Sequence, residues 1–187
     1  MNPVRSALCA CFLACAACDK PAAPSPTPAA SAARPAEGKL LEPGAAAPDL
    51  VMRAHTGETV QLAKFRGSPV VVYFYPKDDT PGCTVEAQEL RDLSADLGAR
   101  KAVVLGVSTD DEGSHKAFAE KHQLPFLLLA DTDHAIARAF GVPVVNGRAK
   151  RISFVIDKQG KIARVFPDVT PKGHAQELLQ TVNGLQS

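Results

Sequence analysis

The run Val70-Val71-Val72-Tyr73-Phe74 is β-branched and aromatic throughout, with no polar side to turn toward water. Such a run reads as a buried strand, the kind found inside a sheet that is covered by helices. Pro76 ends the run, and Thr80-Pro81 then reads as a helix N-cap followed by proline at the first helical position. Cys83 therefore falls in the first turn of a helix that leaves a buried strand. Unpaired backbone N–H groups and the positive end of the helix dipole favour a negative sulfur at such a place.

The rest of the chain repeats the pattern. Strand-like runs at Ala102 to Val107, Phe126 to Ala130 and Ile152 to Ile156 alternate with helical periodicities. That alternation predicts βαβ units, an α/β fold and a mostly parallel central sheet flanked by helices. The helix after Cys83 shows Ala87, Leu90, Leu93 and Leu97 at helical spacing and is expected to stop at Gly98; Ile136, Ala139 and Phe140 mark another that stops at Gly141. An N-terminal β-hairpin is expected from Asp49 to Met52 and Thr59 to Leu62, with Gly57 in the turn. Asp157-Lys158-Gln159-Gly160 turns the chain into Lys161 to Phe166, and Ala175, Leu178, Leu179 and Val182 face the sheet from a last helix.

With 187 residues, 45% hydrophobic and 22% charged, the chain is long enough for one domain with a sizeable core. A formal net charge of +1 with no basic stripe and no Trp gives no reason to expect nucleic acid. Four of the five cysteines, Cys9, Cys11, Cys15 and Cys18, lie near the N-terminus, so the count is not a disulfide framework. Arg5 and the apolar stretch Ala7 to Ala17 read as a signal peptide over residues 1–17. The small residues before Cys18 resemble a bacterial lipobox, with Cys15 in place of the usual Leu, so Cys18 is the expected lipidation site. Residues 18–47 are rich in Pro, Ala and Ser and are expected to be a tether, leaving 48–187 as the folded domain. These features predict a lipoprotein of the bacterial cell envelope that faces the periplasm.

Around Cys83 the chain resembles the peroxiredoxins. Their signature is Pro, three residues, Thr or Ser, two residues and the peroxide-attacking Cys, and Pro76, Thr80 and Cys83 match it. The longer string from Tyr75 to Ala87 is similar to the bacterioferritin comigratory protein, or peroxiredoxin Q, branch. The likeness continues through Val107 to Asp110, Leu124 to Asp131 and Arg151 to Asp157, and covers residues 46 to 187. It implies a thioredoxin-like fold and a thiol-dependent peroxidase that reduces hydrogen peroxide, organic hydroperoxides or both through a Cys83 sulfenic acid. It also implies no cofactor, an external thiol reductant (a thioredoxin-like protein or a small thiol) and a monomer or weak dimer. Carried over by position, Arg151 is the cation that favours the thiolate and holds the peroxide, Thr80 offers its hydroxyl to the peroxide oxygens, and Pro76 shapes the pocket. Arg148 is the alternative cation, since nothing local brings Arg151 to Cys83. One departure stands out: many members of this branch carry a resolving Cys five residues after the first, and here that residue is Gln88. A one-cysteine mechanism is expected.

Other residues read more plainly. Glu86 is a first-turn acid favoured by the helix dipole, and Asp78-Asp79 is turn chemistry. The five histidines are scattered, only His115 and His122 could share a helix face, and no metal site is expected. Two other functions remain open at this point. A thiol:disulfide oxidoreductase is disfavoured because Glu86 stands where a C-x-x-C partner would be; a non-enzymatic redox sensor would use Cys83 as a switch.

Overall fold

A computed structural model describes residues 39–185. The expected signal peptide and Cys18 lie outside the described residues. The elements are β1 (Val51–Ala54), β2 (Thr59–Gln61), β3 (Val70–Phe74), α1 (Pro81–Asp92), α2 (Ser94–Ala99), β4 (Val103–Ser108) and α3 (Glu112–His122). They continue with β5 (Leu127–Ala130), α4 (Ala135–Phe140), β6 (Val144–Val145), β7 (Arg148–Ala149), β8 (Ile152–Ile156), β9 (Ile162–Phe166) and α5 (His174–Gly184). Seven strands form one sheet in the order β2-β1-β5-β4-β3-β8-β9, and β6 pairs with β7 apart from it.

The strand read first is central, and its five residues are all buried. Alternation along β3 divides the interior. Val70, Val72 and Phe74 join the cluster under α4 and the N-terminal hairpin, while Val71, Tyr73 and Tyr75 join the one built from α1, α3 and α5. Cys83 belongs to the second cluster.

The sheet is mixed, which corrects the mostly parallel expectation. β3, β4 and β5 are mutually parallel, but β8 runs antiparallel to β3, β9 to β8, and β1 to both β2 and β5. After α4, whose six residues rise only about 9 Å, the chain does not return along a further helix. The chain instead reverses through the β6–β7 hairpin, where Asn146 and Gly147 both have positive φ (52° and 72°). It enters β8 from the end of the sheet where β3 finishes, with Ile152 opposite Phe74.

Two boundaries also move. The helix after Cys83 breaks at Leu93, and its second part runs through Gly98 to Ala99; the left-handed residue is Lys101 (φ 55°). Gly141 does cap α4 in the left-handed conformation. Residues 39–47, assigned above to the tether, pack on the domain. Leu41 is buried, Leu41 N–H donates to the Phe140 carbonyl (3.1 Å), and Gly44 N–H donates to Ile162 (2.7 Å). An isolated antiparallel bridge joins Ala46 to Lys161, just before the edge strand β9.

Candidate active site

Cys83 is the third residue of α1 and is 1% exposed. Thr80 takes the N-cap position with extended backbone, yet its hydroxyl does not cap the helix; it donates to the Lys77 carbonyl at 3.0 Å. The first-turn N–H groups, which have no intrahelical acceptor, are thus left without that hydroxyl as a partner. Pro76, Thr80, Gly82 and Arg151 are half-buried, and Thr80 and Gly82 belong to the start of the sulfur's own helix.

Arg151 reaches this turn through strand register. Because Ile152 lies opposite Phe74, the residue before it falls beside the loop that leaves β3. There Nη2 of Arg151 donates to Cys83 Sγ at 3.1 Å, and Nη1 pairs with Glu86 Oε2. One guanidinium bridges a sulfur and a carboxylate, a use of its planar fork that a lysine cannot reproduce. Glu86 is fully buried, and burial pushes its carboxyl up to about 7 although Arg151 pulls the other way. Burial disfavours the charge on Arg151, but Glu86 and Cys83 outweigh it and raise its affinity for its proton. The arrangement holds a sulfur beside a fixed cation in the first turn of a helix.

Residues 43–165 match the AhpC/TSA family. Peroxiredoxin Bcp of Bacillus subtilis (strain 168) is 42% identical over 152 residues, spanning 78% of this chain and 97% of the relative. The chain is a peroxiredoxin of the AhpC/TSA family. The chloroplastic peroxiredoxin Q of Triticum aestivum is 38% identical, over 87% of this chain and 76% of its own length. Among solved structures, peroxidoxin BcpB from Mycobacterium tuberculosis superposes with a TM-score of 0.74 at 33% identity, covering 79% of this chain and 99% of that one. The Xanthomonas campestris bacterioferritin comigratory protein, solved in work on its alkyl peroxide reduction activity, gives 0.71 at 33% identity, covering 77% and 96%. This peroxiredoxin is accordingly a thiol-dependent peroxidase with a thioredoxin-like fold.

The structure sets Arg151 against Cys83, on the helix whose N-cap is Thr80, whereas Arg148 lies in β7 and is exposed; Pro76 follows β3 and is half-buried. Gln88 sits on α1 with its amide nitrogen 3.3 Å from His122 Nδ1. Glu86 is not the dipole-favoured first-turn acid expected from the sequence, since it lies in the second turn of α1 and is buried. It is a buried partner of the active-site arginine, and its Oε1 and the Tyr73 hydroxyl have no hydrogen-bond partner among the described residues. Its phase was the available signal, since Glu86 precedes Leu90 by one helical turn and shares its buried face. Pro171 was also missed; a Cβ on Gly82 would stand 3.2 Å from its ring and 3.5 Å from Arg151, so glycine lets both approach the first turn. Among the described residues no group of three or more His, Cys, Asp or Glu side chains is arranged to hold a metal.

Proposed function

We propose that this peroxiredoxin reduces hydroperoxides, alkyl hydroperoxides among them, in a one-cysteine cycle centred on Cys83. The 3.1 Å hydrogen bond from Arg151 to Sγ carries the reading. The Cys83 thiolate attacks one oxygen of the O–O bond; the bond breaks, sulfur becomes a sulfenic acid, and the other oxygen leaves as an alkoxide or hydroxide that takes a proton to give alcohol or water. Arg151 and the Cys83 N–H stabilise the departing charge, the Thr80 hydroxyl, which already donates to Lys77, accepts toward the peroxide, and Pro76 walls the pocket. Two equivalents of external thiol then return the sulfenic acid to the thiol, with release of water and a disulfide. The alkyl substrate class follows the activity named for the Xanthomonas relative.

The one-cysteine cycle follows from the cysteine inventory. Cys83 is the free cysteine among the described residues, and the other four lie in residues 1–18. Cleavage before Cys18 with acylation of that residue would leave one thiol, in a lipoprotein held at a membrane and facing the periplasm, with a thioredoxin-like protein or a small thiol as reductant and a monomer or weak dimer as the working form. Mass analysis of mature protein after one equivalent of peroxide tests the cycle. Addition of one oxygen atom is expected, with further oxygen under excess peroxide. Loss of two hydrogens within one chain would mean that a leader cysteine resolves the sulfenic acid. Cys83→Ser is expected to abolish turnover, and Cys18→Ser to release the protein from membranes or leave it as precursor.

A further inference from the structure

The turn that leads to Cys83 is held by a set of buried polar groups. Asp78 is buried; its Oδ1 accepts from the Tyr75 hydroxyl (2.7 Å), and its Oδ2 accepts from Ser114 Oγ (2.7 Å) and lies 2.9 Å from His115 Nδ1. His115 is fully buried, with Nε2 3.2 Å from the Leu129 carbonyl on β5. A carbonyl only accepts, so Nε2 carries a proton. Burial works against the Asp78 charge, but His115, Ser114 and Tyr75 outweigh it and hold the carboxyl below its ordinary value. With Nδ1 facing that carboxylate and Nε2 facing the Leu129 carbonyl, the ring bridges the loop and β5.

The same helix grips the loop again. Asp79 adopts a left-handed backbone (φ 56°), and its Oδ1 accepts from Lys121 Nζ (2.9 Å) and His122 Nε2 (3.0 Å). Asp78 N–H donates to Asp110 Oδ2 (2.9 Å), an oxygen that also accepts from Ser108 Oγ (2.8 Å). At the end of α3, the His122 carbonyl accepts from Arg91 Nη1 of α1 at 2.9 Å. Thus α3 holds both the segment before Cys83 and the helix after it.

We propose that Asp78 and His115 are a positioning pair for peroxide reduction: through them α3 splints the 75–80 turn and so aims Sγ and the first-turn N–H groups at the bound peroxide. The proposal rests on Cys83 being the nucleophile. A displacement of about 1 Å at a reacting group can cost ~10²-fold in rate. The test measures two half-reactions separately: oxidation of reduced protein by hydrogen peroxide in stopped flow, and reduction of the preformed sulfenic acid by dithiothreitol. His115→Gln and Asp78→Asn are each expected to slow oxidation about 10- to 100-fold while re-reduction stays within about twofold, because only the peroxide step needs the aimed donors. The double variant should be no slower than the slower single one, since both changes break one pair. Tyr75→Phe keeps the ring packing, removes one donor to Asp78 and should slow oxidation about three- to tenfold in a protein that still folds. Native oxidation rates in Tyr75→Phe or in the folded single variants, equal slowing of both half-reactions, or independent multiplying losses would each overturn the proposal. Cys83→Ser run alongside separates the two readings: if it still consumes peroxide the nucleophile assignment fails, and if it is dead while the pair variants are native, only the positioning role fails.

Discussion

Arg151 hydrogen-bonds the Cys83 sulfur and pairs with the buried Glu86. Arg151→Ala removes the cation beside the reacting atom and is expected to slow Cys83 oxidation about 10²- to 10³-fold, the range for losing a preorganised donor. Arg151→Lys keeps the charge but not the fork, so its rate should fall between the two, as stopped-flow oxidation would show. Glu86 makes a pH prediction. Its carboxyl sits at about 7 when folded against 4.5 ordinarily, so the folded state holds the proton more tightly than the unfolded chain does. Its contribution to stability is therefore full below about pH 4.5 and is lost as pH rises toward about 7. Urea unfolding of native protein and Glu86→Gln across that window should show the variant gaining relative to native protein as pH rises. Parallel curves would mean that Arg151 keeps Glu86 ionised throughout.

Two glycines show how elements constrain each other. Gly106 of β4 lies under Tyr73: a Cβ there would stand 2.6 Å from Leu128 Cδ2 and 2.8 Å from the Tyr73 ring. Gly106→Ala is expected to cost about 1–3 kcal/mol in urea unfolding by overpacking. Gly141 caps α4 at φ 72°, and a Cβ there would overlap the Lys39 carbonyl. Gly141→Ala therefore strains the cap and displaces the chain entering the domain, and should cost more than about 1 kcal/mol. On the other side of the sheet, Glu89 of α1 accepts from the Gly173 N–H (2.7 Å) at the start of α5, which fixes the Pro171 loop against the active-site helix.

For the whole domain, the decisive boundary is its start. Residues 39–47 bury Leu41 and exchange backbone hydrogen bonds with β9, including Ile162 N–H to Ala45 (2.8 Å) and Ala47 N–H to Gly160 (2.9 Å). A chain beginning at Lys39 should therefore outlast one beginning at Pro48 in urea. Exposing Leu41 alone is worth about 1.5–3 kcal/mol, and equal midpoints would show that the segment contributes nothing.

The sequence by itself determined the buried central strand, the proline-started helix and the cysteine in its first turn, because each rests on chemistry within a few neighbouring residues. Val70 to Phe74 has no polar face, Pro76 cannot continue the strand, and Pro81 suits the first helical position. The β6–β7 reversal also has a local signal, Asn146-Gly147, the dipeptide of a tight hairpin turn. Tertiary structure decided the direction of β8, and with it the site. Had β8 run parallel to β3, Arg151 would stand at the far end of the sheet from Cys83; the antiparallel register, with Ile152 opposite Phe74, sets it 3.1 Å from the sulfur. The burial of Glu86 and the joining of Asp78 to His115 were likewise beyond local reading, since each charge is held by a partner tens of residues away that only packing brings near.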